Sequence, residues 1–148
     1  MSLHITIDNR EQQPWYFGDY AKVSRGTLGV GDYAVTGDSG YAVERKSLPD
    51  FVGTVSSGWA RFRREIERSK EIGFPNFPII IEANFSDLFP LADGSNHYNH
   101  PQVKSPFIFR RIGELTLLGA SVIFAGDPIM AAGLCWKLLS VRKDQLDE

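Results

Sequence analysis

The chain has 148 residues, 43% of them hydrophobic and 12% aromatic, which is enough apolar volume for one compact core and too little for two full domains. A charged fraction of 23%, without repeats or long charge blocks, excludes a disordered chain. A formal net charge of -2 excludes a protein that coats nucleic acid by bulk electrostatics. The longest apolar runs, such as residues 77 to 81, are too short to cross a bilayer, and no charged-then-apolar leader opens the sequence. Cys135 is the only cysteine, sits in an apolar stretch and permits no internal disulfide. The expectation is a single domain over residues 1–148, not membrane-bound and not secreted, in the reducing cytoplasm with the nucleus left open.

In chain order, Leu3 to Asp8, LHITID, alternates apolar and polar residues and predicts a half-buried strand ending on a carboxylate. Asp19 to Arg25 predicts a short second strand. A glycine-rich stretch, GTLGVGDY, leads to a hairpin around Gly37 to Gly40, after which Tyr41 to Lys46 predicts a strand. Ser47, followed three residues later by Asp50, has capping-box spacing, and Pro49 is tolerated in a first turn, so a helix begins there. Gly53 and the Ser-Ser-Gly at 56 to 58 should interrupt it, after which Trp59, Phe62 and Ile66 keep helical spacing up to Gly73.

The run FPIIIE, Phe77 to Glu82, predicts a strand buried on both faces in the middle of a sheet. Ala92 to Lys104, with His97, Asn99, His100 and Pro101, predicts a long polar surface loop. Ile108, Ile112, Leu115 and Leu118 predict a helix from Ser105 up to Gly119, with a strand over Ala120 to Ala125 and a last helix over Pro128 to Val141. Strands, helix, strand, helix, strand, helix in that order imply an α/β fold, a central mixed β-sheet flanked by helices.

In YAVERK, strand alternation sends Glu44 and Lys46 to one face and Val43 and Arg45 to the other. A hairpin through Gly37 to Gly40 would return this strand beside Asp32, so two carboxylates and an ammonium can converge. Two carboxylates can hold a hard divalent cation by oxygen, and a lysine can orient an attacking water or offset developing charge, as metal-assisted hydrolysis of a phosphodiester requires. Magnesium suits such a site because it borrows ligands from substrate phosphate, and the site's carboxylates would offset the Lys and Arg that meet phosphates. An isolated Glu-x-Lys on an edge strand is an ordinary surface pair; the preceding GDY and the following Asp50 make the combination far more specific.

GDY followed by ERKSLPDF resembles the GDY and ERKxxxD motifs of the XPF-type structure-specific nucleases. ITIDNRE is similar to the D-x-R-E of that family's first strand, and LGVGDY to its lead-in; with motifs the resemblance spans residues 3 to 90. It implies a restriction-endonuclease-like fold and a magnesium- or manganese-dependent DNA endonuclease acting at branched or forked DNA. By that resemblance Asp32, Glu44 and Asp50 are metal ligands or their immediate supports, Asp8 and Glu11 extend the acidic cluster, and Lys46 is the catalytic lysine. Arg10 and Arg45 would lie close by, where a guanidinium takes a phosphate bidentately, with Arg45 counted among the catalytic groups as well.

Plainer roles stay open for several of these. Asp8 can start a turn, Glu11 can be solvated, Asp50 can cap Ser47, and Arg45 can be a salt-bridge residue. In GWARFRREIERSK, Arg61, Arg64 and Arg68 form a stripe that could track a DNA backbone or, paired with Glu65 and Glu67, a solvated face; Arg61 is the better DNA-binding candidate. His97 and His100 have no cysteine or third histidine near them and are expected at the surface, not at a zinc site. Glu82 is left outside the core set.

XPF-type nucleases typically add a tandem helix-hairpin-helix domain, and some a helicase domain; this sequence shows neither. DNA recognition is therefore expected to need a homodimer or a separate recognition subunit. Two alternatives remain: a non-catalytic DNA-structure-binding or scaffold module of the same family, and a sequence-specific restriction-type endonuclease.

Overall fold

A computed structural model describes residues 2–98 and 100–148; Asn99, expected in the long loop, lies outside the described residues. The first strand, β1 (Leu3–Asp8), pairs in parallel with β2 (Ala21–Gly26) and antiparallel with β3 (Tyr33–Val35). A second ladder sets β4 (Glu44–Lys46), β5 (Phe77–Ile81) and β6 (Ala120–Phe124) side by side, all parallel. The two ladders meet at an antiparallel bridge between Tyr33 and Val43, closed by Val43 N donating to Tyr33 O at 2.8 Å and Asp32 N donating to Val43 O at 2.8 Å. The bridge sets two three-stranded sheets, ordered β2-β1-β3 and β4-β5-β6, edge to edge.

β5 decides where the helices go. All five of its residues are buried, with Phe77, Ile79 and Ile81 facing one core and Ile80 the other. Three helices, α1 (Leu48–Val55), α2 (Trp59–Ile72) and α3 (Ser105–Leu117), pack on the first side through Phe51, Val52, Val55, Ile66, Ile108 and Leu115. On the other side α4 (Pro128–Leu146) lays Ala131, Cys135 and Leu139 against Ile5, Tyr33 and Ile80. Burial on both faces explains why β5 reads as an unbroken apolar run.

Ser47 caps α1 as its spacing predicts, its Oγ accepting from Asp50 N at 3.2 Å. Gly53 does not interrupt that helix. Glycine costs only about 1 kcal/mol within a helix, and the buried face of Leu48, Phe51, Val52 and Val55 outweighs it. The break falls at residues 56–58, and α2 then runs to Gly73, whose φ of 108° is the left-handed stop its position predicts. The predicted second strand begins two residues late because Gly18–Tyr20 form a 3-10 turn, and a further 3-10 turn, Phe85–Leu88, follows β5. α4 extends past Val141 to Leu146. Among the described residues no helix is long and apolar enough to cross a membrane.

Candidate active site

The turn into β3 needs its glycine. Gly31 has φ 80°, and a Cβ there would lie 2.6 Å from the Cβ of Ala42, so only a residue without a side chain lets the two strands approach this closely. Asp32 follows at once, its carbonyl accepting from Asp8 N at 2.9 Å and its Oδ2 from Arg45 N at 2.8 Å. With Arg45 thus held by its backbone, strand alternation turns Glu44 and Lys46 to the face that carries the Asp32 carboxylate. Lys46 Nζ lies 3.1 Å from Glu44 Oε2 and 5.5 Å from the centre of the Phe62 ring, which α2 supplies.

These groups line a cleft of about 650 Å³ between the β3–β4 edge and helices α1 and α2. Its floor is electrostatically tense. Glu44 is 5% exposed, and burial followed by the neighbouring Asp32 charge pushes its carboxyl well above the usual range. Burial, then the Glu11 charge, lifts Asp32 to about 6, against the pull of the Arg45 N–H. Burial works against the Lys46 ammonium, but the Glu44 carboxylate outweighs it and raises the lysine above its ordinary value. The Asp32 charge disfavours ionisation of Glu44 and the Glu11 charge that of Asp32, and the one ammonium among them stays protonated.

The remaining expected residues divide. Glu11 and Asp50 both line the cleft, Glu11 accepting from Tyr33 Oη at 2.8 Å and from Arg45 Nη1 at 3.3 Å. Asp50 is exposed at the start of α1, its carboxylate making no hydrogen bond among the described residues. Arg10 and Arg61 stand on the rim, Arg10 with 74% of its side chain exposed. Asp8 stands apart: it is 1% exposed, and its carboxylate accepts from Leu28 N at 2.9 Å, Arg10 N at 3.2 Å and Arg10 Nε at 2.7 Å. That guanidinium, outweighing burial, holds the Asp8 carboxyl below its ordinary value.

Arg45 is the most heavily engaged side chain. It is ion-paired to Glu82, donates to Gln13 O at 2.6 Å, and lies 4.8 Å from the Trp15 ring. Glu82, left outside the expected set, also accepts from Trp15 Nε1 at 2.7 Å and so braces Arg45 against β5. Two lining residues escaped the sequence reading. Glu65 faces the cleft from α2 and accepts weakly from Gly31 N at 3.4 Å; the signal was its position one turn after Arg61, on the same helix face. His100 lines the same cleft from the long loop, and nothing in its local pattern marked it.

Among the described residues no three His, Cys, Asp or Glu gather closely enough to cage a metal ion. Asp32 and Glu44 nevertheless make a donor set suited to magnesium, which takes one or two carboxylates and completes its shell from water and substrate phosphate. A divalent cation beside them would favour the ionised carboxylates, which burial first and neighbouring negative charge second disfavour.

The family model described as "ERCC4 domain" matches residues 7–132, which span β1 to the first turns of α4. A solved structure, XPF from Aeropyrum pernix, superposes with a TM-score of 0.69 at 20% identity, covering 97% of this chain and 67% of that one. A comparison with curated proteins gave no match. The structural likeness shows the restriction-endonuclease-like fold, and by the family match the chain belongs to the ERCC4 domain family of XPF-type structure-specific nucleases.

Proposed function

We propose that the chain is a divalent-metal-dependent DNA endonuclease that hydrolyses phosphodiesters at branched or forked DNA. The observation that carries this reading is the meeting of Asp32, Glu44 and Lys46 in one cleft rimmed by Arg10 and Arg61. Asp32 and Glu44 would hold Mg2+ or Mn2+, with Glu11 and Asp50 adding negative charge to the same cleft, and the ion would supply Lewis acidity at the scissile phosphate. Asp8 fixes Arg10 and does not reach the cleft, so its part is to aim that guanidinium at a flanking phosphate. Arg45 keeps the Asp32 carboxylate in place through its backbone N–H, and its guanidinium adds positive charge beside the phosphate path.

Lys46 is protonated, so it does not take the proton from water. Its Nζ donates toward the phosphoryl oxygens and offsets the charge that builds on them in the transition state. DNA is the partner in this reading.

The test is cleavage of forked, flapped and plain duplex DNA with magnesium, manganese or chelator. Metal-dependent cutting of forks, abolished by Asp32→Ala, is the expected result. Lys46→Ala should retain DNA affinity while losing about 10²- to 10³-fold in rate, the scale of one preorganised donor to a developing oxyanion. Binding without cutting in either metal would leave the non-catalytic module, and one defined cut in plain duplex would favour the restriction-type enzyme.

A further inference from the structure

Beside the acidic cleft, between residues 13–20 and the first turns of α4, runs a groove of about 900 Å³. Its wall includes Trp15, Tyr16, Tyr20, Ile129 and Trp136. Tyr16 is 78% exposed and Tyr20 73%, unusual for aromatic side chains in a chain with a well-filled core. They are not loose. The Tyr20 ring meets Trp136 edge to face at 5.6 Å, Trp136 Nε1 donates to Tyr20 O at 3.0 Å, and Trp15 behind them stacks on Tyr33 at 4.8 Å.

Charge narrows the occupant. Among the described residues Arg45 is the one charged residue in the groove wall; it also lines the acidic cleft, and a small polar depression bounded by Glu11, Asp50 and Glu82 lies between the two. Lys137 Nζ lies 5.7 Å from the Trp136 ring. Among the described residues no carboxylate lines the groove itself, and the nearby Asp127 accepts from Met130 N at 2.8 Å. An aromatic floor with cations at its edges, sharing Arg45 with a cleft that holds a phosphodiester, fits a nucleic-acid strand whose bases are free to stack. Bases in a duplex already stack on one another and could not lie on these rings; unpaired bases can.

We infer that this groove binds the unpaired bases of a single-stranded DNA arm, stacked on Tyr16, Tyr20 and Trp136, and so delivers the branch point to the cleft. The inference rests on the nuclease reading of that cleft for its direction, but binding tests it apart from cutting. The whole chain, in chelator, would be titrated with oligothymidylate and with an abasic strand of equal length and phosphate number.

Trp136 fluorescence should be quenched by the first and not by the second, with Trp136→Phe removing the signal. Tyr16→Ala with Tyr20→Ala should weaken oligothymidylate binding roughly five- to hundredfold, as expected for the loss of one or two stacked bases, while Tyr16→Phe with Tyr20→Phe should restore it. Equal affinity for the abasic strand, or no loss in the double alanine variant with an unchanged melting profile, overturns the inference. So does a dimer, seen by light scattering, that the alanine pair dissolves, because a second copy would then be the occupant. A protein that prefers base-bearing strands yet cuts no fork keeps the groove and loses the nuclease reading, whereas fork cutting without that preference does the reverse.

Discussion

Gly31 and Asp32 are neighbours with separate duties, and the first makes the second possible. A methyl group at Gly31 would meet the Ala42 Cβ at 2.6 Å while the backbone holds φ at 80°. Gly31→Ala should therefore cost roughly 1–3 kcal/mol from strain alone and also push β4 away from Asp32, lowering both the denaturation midpoint and any cleavage. A variant that melts like the parent would show that the strands have room to spare. The sequence made Asp32, Glu44 and Lys46 legible because alternation along a strand fixes which side chains share a face. It did not expose the hydrogen-bond partners of Asp8, since Leu28 N and Arg10 reach its oxygens from a loop and a turn. Glu65 was hidden for a related reason: a charge on a helix looks solvated until the helix is placed over the site.

At the scale of elements, β4 and α1 are consecutive, and Ser47 is both the residue after Lys46 and the cap of the helix. Capping fixes the direction in which the strand ends and so steadies Lys46 in the cleft. Ser47→Ala should lower stability by about 0.5–2 kcal/mol, the range for losing such a cap, read as a shift in the urea midpoint without a change in slope; no shift would mean that packing of Leu48 and Phe51 alone holds the junction. Helix ends marked by caps or left-handed glycines were legible at both Ser47 and Gly73. The end of α4 was not, because its apolar periodicity stops at Val141 while the helix continues through polar residues. Arg142 carries that extension by binding Asp38 through Nε at 2.8 Å and Nη2 at 3.1 Å, and Lys143 pairs with Asp147 at 3.0 Å.

For the whole molecule, the Asp38–Arg142 pair ties the last helix to the β3–β4 hairpin that presents the cleft. Burial alone would raise the Asp38 carboxyl, but the hydrogen-bonded guanidinium outweighs it and holds the group below its ordinary value. A carboxylate lowered in the folded state stabilises at pH above its unfolded value of about 3.9 and loses that contribution as pH falls through the lower folded value. The melting-temperature gap between the parent and Asp38→Asn should therefore hold steady from about pH 8 to about pH 5 and begin to narrow below about pH 4. A gap that does not narrow at all between about pH 5 and about pH 3 would assign the effect to packing of the loop and not to charge.

Net charge sets a second whole-molecule expectation. With a formal charge of -2, the chain cannot gather DNA through a broad positive field, so affinity must come from the few guanidinium groups at the cleft, Arg10, Arg45 and Arg61, the Lys46 ammonium being paired with Glu44 in the absence of a transition state. Each phosphate contact to duplex DNA contributes a slope of about -0.9 in log affinity against log salt, so these three predict a total near -3. Arg61→Ala should bring that slope up by about 1 and weaken forked and plain duplex alike, since a phosphate contact carries no sequence information. Arg45 is different because its guanidinium also pairs with Glu82 and lies against Trp15. Replacing it should change the slope by a similar amount while also lowering stability, and the comparison of the two variants separates a cation that meets only phosphate from one that also holds the cleft together. A measured slope much steeper than that of three contacts would mean that DNA lies along α2 as well, with Arg64 and Arg68 adding contacts beyond the cleft.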